Sequence, residues 1–313
     1  MTLPVTLFAF NRPEHVRQTL NALAQNARAS DVCLLAYLDG PKTDHDVAQI
    51  ARVREIVAAP RGFARIELIE RPANLGLARN IVDGVSQSCA RFGRAIVLED
   101  DIVTAPHFLT FMADALERYR DVPEVWHISG WNYPIPEAGL ADAFFYPVMD
   151  CWGWATWEDR WRHYQRDPAR LLADWDRRQI HRFNLDGSED FWAQVRRNHS
   201  GSLHTWAIFW YATIFEHGGL CLNPTRSYVR NIGIDGSGQH SGNRNVFDSA
   251  LAEAAPLRWP AETAVDSLAV ARIRNFMRET RPSLTRRLAS AMRWRWKDLR
   301  AERQHHRQEP DRG

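Results

Sequence analysis

Three consecutive carboxylates, Glu99-Asp100-Asp101, stand directly after the apolar run Ala95 to Leu98, and the chain then resumes as Ile102-Val103. Crowded carboxylates repel one another unless a cation or a ligand compensates them, and hard oxygen ligands favour Mg²⁺ or Mn²⁺. The competing reading is a solvated strand-to-helix corner with an aspartate as helix cap. Other residues able to do chemistry fall on loops: Arg12 in Asn11-Arg12-Pro13, and Asp39 in the turn Asp39-Gly40-Pro41. Late in the chain, Asn231-Ile232-Gly233-Ile234-Asp235-Gly236-Ser237-Gly238-Gln239-His240-Ser241-Gly242 is rich enough in glycine to close over a ligand, or to be plain surface loop. His240 could offer a neutral imidazole to the same cation as Asp101.

The elements that must position these groups follow from hydrophobic periodicity. Ala95 to Leu98 predicts a strand buried on both faces, as in a parallel sheet. In an open α/β sheet the ligand lies beyond the carboxyl ends of the strands, which is where the three acids fall. Thr2 to Phe10, Val32 to Leu38 and Arg65 to Ile69 predict further strands. Between them lie helices carrying Val16, Leu20 and Leu23 on one face, then Val47 to Val57, then Leu77 to Ser88 after Asn74-Leu75-Gly76. Pro106 to Tyr119 adds a helix with Phe108, Phe111, Met112 and Leu116 inward. Alternating strands and helices imply a mostly parallel sheet, with Arg12 and Asp39 on one rim. Topology of this kind does not by itself specify chemistry.

Ten of the thirteen tryptophans lie between Trp126 and Trp210. Clusters such as Trp131-Asn132-Tyr133-Pro134 and Cys151-Trp152-Gly153-Trp154 are either the core of a smaller lobe or a platform for a sugar ring. On the second reading the ring packs on indole while hydroxyls seek neighbours such as Asn132 and Asp150, and different rings can serve each use. Trp206 to Glu216 predicts a helix, Leu220 to Leu222 and Ser227 to Val229 short strands, and Pro260 to Phe276 a last helix.

The 313 residues can bury a substantial core. Net charge is only +2, and from Arg281 onward ten Arg/Lys face four Asp/Glu, so the basic character is terminal. Nucleic-acid binding is unlike this pattern, which spreads no basic and aromatic residues together over a face. Leu284, Leu288, Met292, Trp296 and Leu299 recur at helical spacing among arginines, suiting either a helix on an anionic membrane surface or one docked on its own domain. Four scattered cysteines argue against a zinc site or disulfide framework and fit a reducing, cytoplasmic setting. No run reaches the ~20 apolar residues of a membrane span, and a secretory leader is not recognised at the N-terminus.

Taken together, Phe10-Asn11-Arg12-Pro13, Leu38-Asp39-Gly40-Pro41, Asn74-Leu75-Gly76-Leu77-Ala78-Arg79 and Val97-Leu98-Glu99-Asp100-Asp101 with Ala105-Pro106-His107-Phe108 resemble the GT-A glycosyltransferases. The likeness is to the family 2 type and also to the N-acetylglucosaminyltransferase I type. Gly153-Trp154-Ala155-Thr156 and Gly236-Ser237-Gly238-Gln239-His240 look like weaker counterparts in the acceptor half. The resemblance implies a GT-A, Rossmann-like α/β fold that moves a hexosyl or N-acetylhexosaminyl group from a nucleotide-diphospho-sugar to a hydroxyl of a glycan or lipid-linked acceptor. It further implies Arg12, Asp39, Arg79, Glu99 and Asp100 on the donor, Asp101 and His240 on Mn²⁺ or Mg²⁺, and Trp131, Asn132, Trp152 and Trp154 on the acceptor side. The expected division is a nucleotide-sugar half over 1–122, an acceptor half of the same domain over 123–260, basic helices over 261–303, and a disordered tail over 304–313.

One departure concerns the general base. Inverting relatives carry a carboxylate at the start of a late helix, where this chain reads Thr205-Trp206-Ala207. Asp190 or Glu189 are then the first candidates for an inverting reaction, with Asp150 and Asp235 behind them. A retaining course, or a degenerate fold that binds without turnover, is the alternative. A nucleotidyltransferase would share the sheet and acids but want a glycine-rich phosphate loop after the first strand, which Phe10-Asn11-Arg12-Pro13 is not.

Overall fold

A computed structural model describes residues 2–59, 61–234, 246–256 and 258–280. The chain opens with β1 (Leu3–Ala9), α1 (Pro13–Ala24), β2 (Val32–Leu38), α2 (Asp44–Ala58), β3 (Arg65–Glu70), α3 (Leu77–Phe92) and β4 (Arg94–Glu99). There follow β5 (Ile102–Thr104), α4 (Phe108–Arg118), β6 (Val125–Ser129), β7 (Ala143–Tyr146), β8 (Trp154–Trp157) and the short α5 (Glu158–Trp161). Four helices, α6 (Pro168–Asp174), α7 (Arg177–Phe183), α8 (Trp192–His199) and α9 (Ala207–Glu216), precede β9 (Leu220–Pro224), β10 (Val229–Asn231) and α10 (Ser267–Thr280).

Eight strands form one sheet in the order β3-β2-β1-β4-β8-β6-β9-β7, and β5 pairs with β10 in a separate two-stranded patch. β1 and β2 are buried along their whole length, as continuous apolar runs in a parallel sheet must be when helices cover both faces. β1 pairs parallel with both β2 and β4. Strand order therefore reverses at β1, and the crevice beyond the carboxyl ends of β1 and β4 is the topological switch point where such sheets bind ligands.

The tryptophan-rich part is no separate lobe. Its strands β8, β6, β9 and β7 continue the sheet from β4, beginning with the antiparallel register Arg94↔Trp157 to Val97↔Trp154. Three of them, β6, β7 and β8, were not legible as strands among the aromatics. Two further expectations move. The last helix starts at Ser267 and not near Pro260, because Asp266 caps it: its carboxylate accepts from the Ala269 N–H at 2.9 Å. The strand expected over Ser227 to Val229 is Val229–Asn231, because Ser227 is tied to Asn132, whose N–H donates to the Ser227 hydroxyl at 2.9 Å. The basic segment from Arg281 lies outside the described residues, among which no helix is long and apolar enough to cross a membrane. All four cysteines are free thiols.

Candidate functional site

The loops after β1, β2 and β4 meet at the switch point. Arg12, just before α1, crosses to the β4 loop, where Nη2 donates to Asp101 Oδ2 at 2.9 Å and also to Asp100 Oδ1. Thr19 of α1 donates its hydroxyl to the Asp100 carbonyl at 2.8 Å, fixing that loop from below. Burial alone would lower the Arg12 guanidinium's affinity for its proton, but Asp100 and Asp101 together raise it, so it stays charged. Burial pushes Asp100 up to about 6 even though Arg12 pulls the other way. Glu99 rises to about 8, first through burial and then through repulsion from Asp101 and Asp100. Arg12 and, more weakly, His15 face three acids, which leaves the cleft floor acidic.

Asp39 is buried and occupied. Its carboxylate accepts from the N–H groups of Gly40 at 3.0 Å, Leu75 at 2.8 Å and Gly76 at 3.0 Å. Asn74 answers by donating to the Gly40 carbonyl at 2.8 Å. A side chain on Gly40 would collide with the Ala73 backbone, so glycine is what lets the two loops lock together. Asp39 consequently builds the wall of the cleft next to Arg79, which is exposed in the first turn of α3. Opposite, Asn11 donates to Asp46 at 2.6 Å, and Asp46 closes the capping box of α2 with Thr43.

The β5–β10 patch brings a second segment over the acids. The Ile232 N–H donates to the Asp101 carbonyl at 2.9 Å, and Gly233 follows so closely that a Cβ on it would overlap the Asp101 carboxylate. Nothing in the sequence separates Gly233 from the other glycines of the stretch Asn231 to Gly242. His240 and Asp235 lie outside the described residues. Among the described residues, no group of three or more His, Cys, Asp or Glu side chains is arranged to hold a metal ion.

On the acceptor side the structure separates residues that the sequence grouped. Trp154 is a correction: it is fully buried, stacked between His127 and Trp206 at 5.3 and 5.1 Å, and has no surface to offer a sugar. Asn132 is likewise interior, its amide donating to the Thr225 carbonyl at 3.0 Å while Oδ1 has no partner. Trp152 is half-buried and meets Trp131 edge-on at 4.8 Å, with the more exposed Phe247 at 6.2 Å. Of these rings Trp152 and Phe247 reach the surface, while Trp131 is buried beneath them. Asp190 is a surface residue, its carboxylate accepting from the Ala193 N–H at 3.1 Å at the start of α8 and lying 3.6 Å from Arg196. Local helix capping accounts for that hydrogen bond, and the carboxylate stays exposed. Glu189 is half-buried and acts electrostatically on Tyr133 and Tyr146.

Asp150, a candidate of lower rank, is the buried acid here. Asn223 Nδ2 donates to its Oδ2 at 2.8 Å and the Tyr133 hydroxyl bonds it as well. Burial raises its carboxyl to about 7, against the pull of those two donors. Its neighbour Cys151 feels the charges of Glu99 and Asp101 as well as that of Asp150, so the two acidic regions flank one thiol.

Residues 5–180, more than half of the chain, match the sequence model of the family described as glycosyl transferase family 2. Among solved structures the chain is similar to S. aureus TarS, at 12% identity over 46% of this chain and 25% of that one, with a TM-score of 0.33. It is similar to S. aureus TarS 1-349 at 9% identity, covering 73% of this chain and 60% of that one, with a TM-score of 0.41. A mannosyltransferase from Pyrobaculum calidifontis, PcManGT, in complex with GDP-Man and Mn²⁺, aligns at 10% identity over 70% of each chain, with a TM-score of 0.36. The chain spans only a quarter of the length of full TarS.

Proposed function

We propose that this chain, which belongs to glycosyl transferase family 2, transfers a hexosyl or N-acetylhexosaminyl group from a nucleotide-diphospho-sugar to a hydroxyl of a glycan or lipid-linked acceptor. The observation that carries the proposal is the convergence of Arg12, Glu99, Asp100 and Asp101 at the switch point of the sheet, walled by the Asp39-locked loops. The donor set suits a hard divalent cation, because Mg²⁺ or Mn²⁺ in phosphate-bearing sites needs only one or two protein carboxylates. Asp101, facing the cleft beneath Gly233, would hold it, with His240 as its partner from the glycine-rich segment. When bound, such an ion supplies Lewis-acid stabilisation of the leaving diphosphate.

Within that reading each residue has a task. Arg12 bridges Asp100 and Asp101, Glu99 and Asp100 meet ribose or sugar hydroxyls, and exposed Arg79 attracts the diphosphate. Trp152, backed by Trp131, offers the acceptor an aromatic edge. The reaction is inverting, and the basic segment after Arg281 holds the protein at the cytoplasmic face of an anionic membrane during polysaccharide synthesis.

The experiment is a screen of UDP- and GDP-linked hexoses and N-acetylhexosamines for release of nucleoside diphosphate, with Mn²⁺, with Mg²⁺ and with chelator. We expect release that depends on the cation and falls at least 100-fold in Asp101→Asn. Consumption of no nucleotide sugar would overturn the function, and full activity of the variant would remove Asp101 from the site.

A further inference from the structure

We infer that Asp150 is the general base that takes the proton from the acceptor hydroxyl, an inference that rests on the transferase reading above. The geometry is that of a carboxylate held in place at several points. Its main chain is clamped by β6: the Ser129 hydroxyl lies 3.3 Å from both the N–H and the carbonyl of Asp150, and His127 Nε2 lies 3.1 Å from the same carbonyl. Trp210 donates its indole N–H to His127 Nδ1 at 3.2 Å, so that ring must be neutral and carry its proton on Nε2. Burial drives His127 down to about 3, which agrees with a neutral ring. From β9, Asn223 spans the Asp150 carboxylate and the Trp131 carbonyl, linking the acid to the aromatic edge.

None of this has a structural purpose of the usual kind. Asp150 caps no helix, and among the described residues no Lys, Arg or charged His pairs with it. An interior carboxylate without a cation is unfavourable for the fold and is characteristic of sites where a proton must move. The titratable groups facing it are Tyr133 from the segment after β6, Tyr146 from β7, Cys221 from β9 and the adjoining Cys151, with Glu189 acting on the same two tyrosines. None is a cation. Tyr146 Oη and Asn223 Oδ1 are also buried, and among the described residues neither has a hydrogen-bond partner, so polar capacity beside the acid is left unused. Its raised affinity for protons supports the assignment, since a base poised near 7 is both ionised enough and strong enough to act.

The step balances. The acceptor O–H proton passes to an Asp150 oxygen, the freed oxygen lone pair forms the new bond to the anomeric carbon, and the old bond from that carbon to the diphosphate oxygen breaks with its electrons leaving on the diphosphate. Asp150 ends protonated and is reset by solvent.

The test measures hydrolysis of UDP- and GDP-linked hexoses and N-acetylhexosamines with Mn²⁺, water standing in as acceptor, across pH 5.5 to 9. The wild-type rate should rise with pH through about 7 and level off. On the plateau above about pH 8, Asp150→Asn should lose at least 100-fold, a gap that narrows as pH falls below about 7, with UDP and GDP binding by calorimetry within about 2-fold of wild type. Tyr133→Phe removes a donor to the ionised form and should move the midpoint of the profile to higher pH, a shift that a merely structural Asp150 would not produce. Asp150→Asn turnover within about 3-fold of wild type on that plateau, or an unmoved midpoint in Tyr133→Phe, overturns the inference alone. If the wild-type chain consumes no nucleotide sugar, the proposed function falls and the base assignment with it.

Discussion

Replacing Asp150 by Asn should make the protein more stable at neutral and alkaline pH. In the folded chain the Asp150 carboxyl titrates at about 7, against an ordinary value of 3.8. Between those values the folded state holds a proton that the unfolded state has released, so stability falls as pH rises from about 4 to about 7 and is flat beyond. At about 1.36 kcal/mol per pH unit, the penalty at pH 8 is roughly 4 kcal/mol. Asparagine carries no charge and removes it. Its amide offers one acceptor oxygen where the carboxylate offers two, and weakening one of the bonds from Asn223 and Tyr133 returns about 1 kcal/mol. The net gain is therefore about 3 kcal/mol at pH 8 and vanishes, or turns slightly negative, near pH 4. Urea unfolding of both proteins at pH 4, 6 and 8 reads this directly as a midpoint difference that grows with pH. A variant less stable than wild type at pH 8, or a difference that does not change with pH, would refute the account of Asp150 as an uncompensated interior charge.

Two further outcomes follow from the cleft. Gly233→Ala places a methyl against the Asp101 carboxylate and should lower cation-dependent turnover at least 10-fold while changing the melting temperature little; unchanged turnover would show that residues 232–234 do not lie over the acids as described. Arg12→Met leaves Asp100 and Asp101 without their shared cation and should cost about 2 kcal/mol in urea unfolding, less than a fully interior pair because Arg12 is 23% exposed.

The donor half of the fold was legible because each signal there is local. Ala95 to Leu98 is apolar for the length of a buried strand, and Gly40 and Gly76 punctuate where loops turn, so the order of elements could be read from periodicity. The convergence of Arg12 with Asp100 and Asp101 was legible only as a shared rim, since periodicity places loops at one edge without saying which side chains touch. The acceptor half was harder for a physical reason. Trp126, Trp154 and Trp157 sit on strands buried on both faces, so their hydrophobicity does not alternate, and the same composition suits core and sugar platform. Asp190 adjoins Phe191-Trp192 in the sequence, and in the fold its carboxylate stands at the start of α8. Asp150 carries no sequence signal that separates it from a surface acid, because what makes it distinctive is donated by Ser129, His127 and Asn223 from two other strands.

The antiparallel pairing of β8 with β4 also bears on how the molecule comes apart. β4 carries the acids at its end and is interior on both edges, bonded to β1 on one side and to β8 on the other. Removing the second half would strip one edge of an apolar strand and leave it open to pair with other chains. The part of the chain that ends with β4 is thus not a folding unit that acquired a neighbour. Both halves share one sheet, and loosening of the tryptophan-rich side should reach Glu99, Asp100 and Asp101 through a single strand, in one cooperative transition.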